Sequence, residues 1–312
     1  MRRSLGSWAA AIGGVAATWL GLAGAAQAEE PLFGYVYTTD TLPKGKFEAE
    51  QWITDREGQA HGYYHGVEMR SELEYGLSDN IQVSVYANYS YVGARNNSVD
   101  HLTEGLDISP DHDPTKPLSG VHSDGVSAEV VWRVMSPYQH PIGLAFYAEP
   151  EIGPRESGLE LRAIVQKDFL DDRLVLAANA WVEFDKEQGT NLGAIASSAP
   201  PSFERTKATY LEFDAGGSYR FRRNWSAGLE FRNHNEYANW SLAPSDQQHT
   251  AFFLGPNIHY GAERWFATLS VLRQLGAVGF TPDQKAQIYA GRLYGNEHTT
   301  WDGIRLKLGR SF

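Results

Sequence analysis

The sequence predicts an all-β protein: a transmembrane, antiparallel, up-and-down β-barrel of about twelve strands. Three observations predict it. Apolar residues alternate with polar or charged ones through almost all of the chain beyond residue 45. Short turns alternate with mostly longer connections. The last strand keeps the alternation up to a terminal aromatic, Phe312. The alternation has a geometric cause, because successive side chains of an extended strand point to opposite faces. A strand between an oily and a wet environment therefore reads with period two, and no stretch here holds a helical period over three turns.

The first element is not a strand. Arg2 and Arg3 precede an apolar stretch, Trp8 to Ala26, that closes on Ala26-Gln27-Ala28. Small residues stand at the two positions a signal peptidase reads, so residues 1–28 are expected to be a removed export signal. The chain has no cysteine to carry a lipid anchor. Residues 29–45 are expected to form a periplasmic N-terminal segment, about 17 residues long and too short for a plug domain or an energy-coupled receptor. The barrel is expected over 46–312.

Within it, strands are expected near 46–54, 65–77, 80–93, 123–135, 141–152, 157–169, 173–186, 204–219, 224–240, 249–261, 264–275 and 299–312. Val67, Met69, Ser71, Leu73 and Tyr75 alternate with Glu68, Arg70, Glu72 and Glu74. Ile81, Val83, Val85 and Ala87 alternate with Gln82, Ser84, Tyr86 and Asn88. Val126, Ala128, Val130, Trp132 and Val134 alternate with Ser127, Glu129, Val131 and Arg133. Leu174, Leu176, Ala178, Ala180, Val182 and Phe184 make the longest apolar face. Leu211 and Phe213, then Leu229 and Phe231, alternate with Glu212, Asp214, Glu230 and Arg232. The connections at 76–80, 136–140, 169–173, 221–224 and 261–264 are short. Those at 55–64, 94–122, 187–203, 241–248 and 276–298 are longer, and only 153–156 is short on that side. Tight periplasmic turns and longer external loops are the asymmetry of an outer-membrane barrel.

Composition bounds the function. The 312 residues include 38 Asp and Glu against 27 Lys and Arg, a formal charge of −11, which disfavours a nucleic-acid binder. The absence of cysteine removes disulfide scaffolds, thiolate metal sites and cysteine nucleophiles. A water-soluble sandwich would bury its apolar faces, yet here the opposite faces carry too much charge for a dry core. Aromatic residues at strand ends (Trp52, Tyr75, Tyr91, Trp181, Tyr219, Trp225, Tyr260, Trp265 and Trp301) suit the two membrane interfaces.

If the apolar face meets lipid, the other face lines a lumen. It collects Glu68, Glu72, Glu74, Glu129, Glu149, Glu151, Glu160, Glu183, Glu212, Asp214 and Glu230, with Arg70, Arg133, Arg162, Arg232, Arg305 and Lys307 as the basic companions. Acids outnumber bases, and a confined negative field concentrates cations. Tyr86, Tyr147, Trp181 and Tyr210 offer flat surfaces for an aromatic or sugar-like solute. The expectation is a passive, mildly cation-preferring channel for small hydrophilic or aromatic solutes. The same residues equally suit Glu–Arg pairs that fill a small barrel, such as Arg70 with Glu68 or Glu129, and Arg162 with Glu149 or Glu183. A structural or adhesive barrel without an open pore is therefore a second reading.

The longest loop carries Asp100, His101, Glu104, Asp107, Asp111, His112 and Asp113, followed by His122. Its spacing does not match a calcium loop, and no metal or cofactor is expected. A third reading is a lipid hydrolase using Ser226, His234, Asn235, Glu236 and Ser241. None of these lies in a nucleophile signature, and no enzyme is expected.

Two resemblances sharpen this. The tail Ile304-Arg305-Leu306-Lys307-Leu308-Gly309, ending at Phe312, resembles the C-terminal signal by which bacterial outer-membrane proteins are recognised for assembly. The units Leu73-Glu74-Tyr75-Gly76-Leu77-Ser78-Asp79-Asn80-Ile81-Gln82-Val83 and Tyr219-Arg220-Phe221-Arg222-Arg223-Asn224-Trp225 resemble those of Gram-negative transporter-type barrels, among them the phenol-degradation-pathway outer-membrane proteins. The resemblance implies location in the outer membrane and contact with its lipid and lipopolysaccharide. It also implies handling by the barrel assembly machinery and passage of small solutes, and it identifies no substrate-contacting residue.

Overall fold

The computed structural model describes residues 31–59, 61–98, 101–103, 113–190, 203–289 and 299–312. The expected export signal and the loop residues Asp100, Glu104, Asp107, Asp111 and His112 lie outside them. Twelve strands follow one another in chain order: β1 (Phe47–Glu57), β2 (Tyr63–Ser78), β3 (Ile81–Arg95), β4 (Leu118–Met135), β5 (Gly143–Ile152), β6 (Glu156–Phe169), β7 (Leu174–Thr190), β8 (Phe203–Arg222), β9 (Trp225–Ala238), β10 (Gln247–Gly261), β11 (Trp265–Gly279) and β12 (Trp301–Ser311). Each pairs antiparallel with its sequence neighbours, and β1 pairs with β12, so the sheet closes on itself. Closure leaves no unpaired edge, which is the condition for placing a sheet in lipid. Phe312 donates its N–H to the Phe47 carbonyl at 2.8 Å, fastening the last residue to the first strand.

The observed strands match those expected, with differences at the long-loop end. β4 begins at Leu118 rather than near 123, β7 continues to Thr190 and β11 to Gly279. Strands that project beyond lipid lose the demand for an oily face, so Ser119, His122 and Asp124 carry no readable alternation. The β4–β5 ladder passes from Ser127↔Glu151 to Val130↔Ala148. Pro150 lies in the gap and brings no N–H. A short helix, α1 (Pro282–Tyr289), lies in the connection between β11 and β12.

The two faces of the wall differ as expected. On β3, Gln82, Ser84, Tyr86, Asn88 and Ser90 are buried, while Val85 is 56% exposed on the outer face. Val126, Trp132, Leu229 and Leu275 are likewise exposed, each by half or more. Trp225, Tyr260 and Trp265 cluster on the outer face at the short-turn end, with ring centroids 4.8 and 5.0 Å apart. Trp52 and Trp181 depart from the interface set. Both are buried inside the barrel, because each stands in phase with the polar residues of its strand.

The interior is not empty. Residues 31–42, part of the segment 29–45 expected as a periplasmic lead-in, lie within the barrel near its short-turn end. Phe33, Tyr35, Val36, Thr39, Thr41 and Leu42 are buried there. The segment touches β11, β9, β7, β6 and β3 in turn before entering β1, so it crosses the lumen as an inner belt.

Candidate functional site

The belt has no regular secondary structure, so the wall must satisfy its backbone. Single side chains from separate strands do this. The Glu230 carboxylate accepts the N–H groups of Gly34, Tyr35 and Val36 at 2.9, 2.7 and 3.3 Å. Asn179 pairs with both backbone groups of Tyr37, at 2.7 and 2.9 Å. Gln166 accepts from the Thr39 N–H at 2.7 Å, and Gln82 from that of Leu42 at 2.8 Å. Pro31 and Gly34 give their carbonyls to Thr268 and Arg305. Small residues make room: a Cβ on Gly216 would sit 2.7 Å from the Phe33 ring, and one on Gly34 would sit 2.6 Å from Ser270.

Around the belt runs a set of paired charges. Arg232 meets Glu212 through two parallel bonds at 2.6 and 2.8 Å and reaches Asp302 at 3.0 Å. Arg162 bonds Glu160 at 2.8 Å and lies 3.7 Å from Asp214. Arg56 bonds Glu68 at 2.6 Å and Asp302. Arg70 bonds Glu149, whose other oxygen accepts from the Tyr147 hydroxyl. The partners differ from those the sequence suggested for Arg70 and Arg162, because register across strands decides which inward residues meet.

The guanidinium groups also cover aromatic faces. Arg70 lies 4.0 Å from the Tyr86 ring centre. Arg162 lies 5.4 Å from both the Tyr147 and the Trp181 ring centres. Tyr35 of the belt is flanked by Arg305 at 3.8 Å and Arg232 at 4.6 Å. Three of the four flat surfaces read from the sequence thus stand under arginines, and the fourth, Tyr210, packs against His234 with ring centres 5.4 Å apart.

The sequence-derived set falls on the inward face almost throughout. Glu72, Glu74, Glu129, Glu149, Glu212, Asp214, Glu230, Arg162, Arg232 and Lys307 are buried, with Tyr86, Tyr147 and Trp181 among them. Glu151 accepts from Asn88 at 3.2 Å, Glu183 faces Gly158, and Arg305 donates to Thr54. Arg133 is apart from the rest: its side chain bonds Asn80 and the Asp79 carbonyl at the β2–β3 turn, on the rim. Glu48, Glu50, Trp52, Arg56, Asp185 and Asp302 also face inward and were missed, although the alternation of β1 contained the signal for four of them. Asp302 sits beside a bulge between β12 and both its neighbours, which breaks the phase.

Cavities lie along the wall. One of about 140 Å³ is bounded by Tyr35, Tyr37, Trp52, Arg70, Arg162, Arg232 and Arg305. A second, about 260 Å³, opens further toward the long-loop end, by Glu68, Arg70, Asn88, Asp124 and Glu151. The residues considered for hydrolysis are not assembled. Ser226 lies eight residues from His234 along β9, about 26 Å at the rise of a strand. His234 is bonded to Glu212 at 2.8 Å, and the Ser241 hydroxyl accepts from Ala243 within its own loop.

A family model matches residues 25–312. The chain belongs to DUF6662, a family of unknown function. No curated protein matches it. Among solved structures, this DUF6662 barrel is similar to the COG4313 outer membrane channel from Pseudomonas putida F1. The TM-score is 0.54 at 10% identity, over 88% of this chain and 98% of that one. It is also similar to the β domain of the Bordetella autotransporter Brka, with a TM-score of 0.50 at 10% identity over 86% and 100% of the two chains. The likeness extends to barrels of different use, so it is one of fold. With the closed sheet and its oily outer wall, this is a Gram-negative outer-membrane β-barrel.

Proposed function

We propose that this DUF6662 protein is a passive outer-membrane channel for small hydrophilic solutes, mildly cation-preferring, whose narrowest section is set by its own N-terminal belt. One observation carries the reading. The belt is held by side chains of at least five strands, and cavities lined by charge continue beyond it toward the long-loop end. Acidic groups outnumber basic ones on the inward face, and Glu48, Glu50, Asp185 and Asp302 widen the surplus. A field of that sign in a confined space favours cations.

The resemblance of the turn units to phenol-degradation-pathway barrels adds small aromatic compounds as a second solute class. Arginines cover three of the four aromatic faces read from the sequence, Tyr86, Tyr147 and Trp181, so hydrophilic solutes fit better. On this reading the short turns face the periplasm and Phe312 presents the tail to the assembly machinery. The outer wall meets lipid and lipopolysaccharide. The crowded lumen supports one rival, a structural or adhesive barrel that passes nothing.

Planar-bilayer recordings in a salt gradient separate the two. The expected result is discrete channel events with a reversal potential of cation-preferring sign. Anion preference would refute the selectivity, and silent membranes containing folded barrel would refute the channel.

A further inference from the structure

We infer that the barrel binds one divalent cation of the calcium class inside its short-turn mouth, between the carboxylates of Glu48, Glu50 and Glu74 with Glu72 beside them. The register of the first hairpin builds the cluster. Glu48 stands opposite Glu74 and Glu50 opposite Glu72 on neighbouring strands, and all four are buried on the inward face. Like charges directly across a ladder repel, so chance pairing of this kind weakens a sheet.

Carboxylate oxygens of Glu48, Glu50 and Glu74 all lie within 4.8 Å of one another. Oxygens around one calcium ion stand about 2.3–2.6 Å from it, hence at most about 5 Å apart. An all-oxygen donor set selects a hard cation over zinc or copper. Glu72 supplies the independent sign of a missing partner. It is 4% exposed, and both its oxygens are buried without a donor, the neighbouring Tyr86 hydroxyl donating to Glu129 instead. It lines the same small cavity, about 60 Å³, as Glu50 and Glu74. Lys307 is the one base lining that cavity among the described residues, and its ammonium lies 3.6 Å from the Trp52 ring centre. Several buried carboxylates facing one ammonium require further neutralisation.

The site lies where the first hairpin, the β1–β12 seam and the belt come together. Gln82 donates to Glu74 at 2.8 Å while accepting the belt's Leu42 N–H, and Ser311 of the closing strand donates to Glu48. A bound cation thereby ties the first hairpin to the seam and to the belt. The inference rests on this cluster alone and holds whether or not solutes pass.

The test uses the full mature chain folded in detergent, with Tb³⁺ and then Ca²⁺ as the probes. The Trp52 indole N–H is 2.6 Å from Glu50, close enough to sensitise bound Tb³⁺. Wild-type protein is expected to show saturable tryptophan-excited Tb³⁺ emission, displaced by Ca²⁺, and about one Ca²⁺ equivalent by calorimetry. E50Q/E74Q, which relieves repulsion and leaves the barrel folded by heat-shifted gel mobility, is expected to weaken that equivalent at least tenfold. W52F is expected to dim the emission and keep the Ca²⁺ heat. Wild-type protein without saturable Ca²⁺ binding, its cluster neutralised by protons alone, would overturn the inference. So would E50Q/E74Q binding Ca²⁺ as tightly as wild type.

Discussion

Glu230 is fully buried and accepts five hydrogen bonds: three from consecutive N–H groups of the belt, one from Asn257 at 3.0 Å and one from the Ser270 hydroxyl. A bond to an ionised acceptor is worth about 1.5–3 kcal/mol. Because these bonds converge on one carboxylate, the belt's deepest point depends on a single side chain. Replacing it by the neutral isostere, E230Q, keeps the volume and removes the charge, and it turns one acceptor into a donor aimed at N–H groups. Hydrogen–deuterium exchange at Gly34–Val36 is therefore expected to quicken at least tenfold in E230Q, with exchange in the strands unchanged. Equal protection in both proteins would mean that the belt is held elsewhere. The sequence placed Glu230 on the inward face by phase alone, but nothing in it marked this residue off from Glu212 or Glu149. Its distinction comes from a partner 195 residues away.

At the level of elements, the strands were legible and the belt was not. Ala178 to Phe184 alternates because lipid on one side and a largely polar interior on the other act on this part of β7, whereas Val175 and Ala177 turn inward to pack with Phe33 and Val36 of the belt. Residues 31–46 repeat no period, since their backbone groups are matched to single side chains on several different strands, and only the closed register shows which. Trp52 was misassigned to an interface for a related reason. Aromatic identity suggested the rim, whereas its phase with Glu50 and Thr54 turns it inward. The belt also carries a titrating anchor at the short-turn mouth. Burial pushes the Asp40 carboxyl above its ordinary value, opposed by the Tyr138 hydroxyl that donates to it at 3.0 Å. A raised carboxyl means that the docked belt prefers neutral Asp40, so docking is strongest below the unfolded value, about 3.9, and weakens as the pH rises through the docked one. Exchange at Thr39 and Thr41 is expected to become less protected over that rise once intrinsic exchange is corrected for, and D40N is expected to flatten the slope. An identical slope in D40N would assign the effect to another group.

Over the whole molecule, one alternating pattern produces both the membrane wall and the charged interior. An outer face of Val, Leu, Phe and Trp demands that polar side chains turn inward, and a twelve-stranded barrel is small enough for these to meet across the space. That closeness explains why Arg162 and Arg232 each engage more than one carboxylate, and why a short unstructured belt suffices to cross the opening. Sequence phase therefore reveals what lines the lumen, while the amount of free passage depends on register and on the belt. Removing residues 31–42 tests this most directly, by single-channel conductance in planar bilayers against the intact protein. The account predicts barrels that still fold and conduct several-fold more current per channel. Unchanged conductance in the shortened, folded barrel would contradict it.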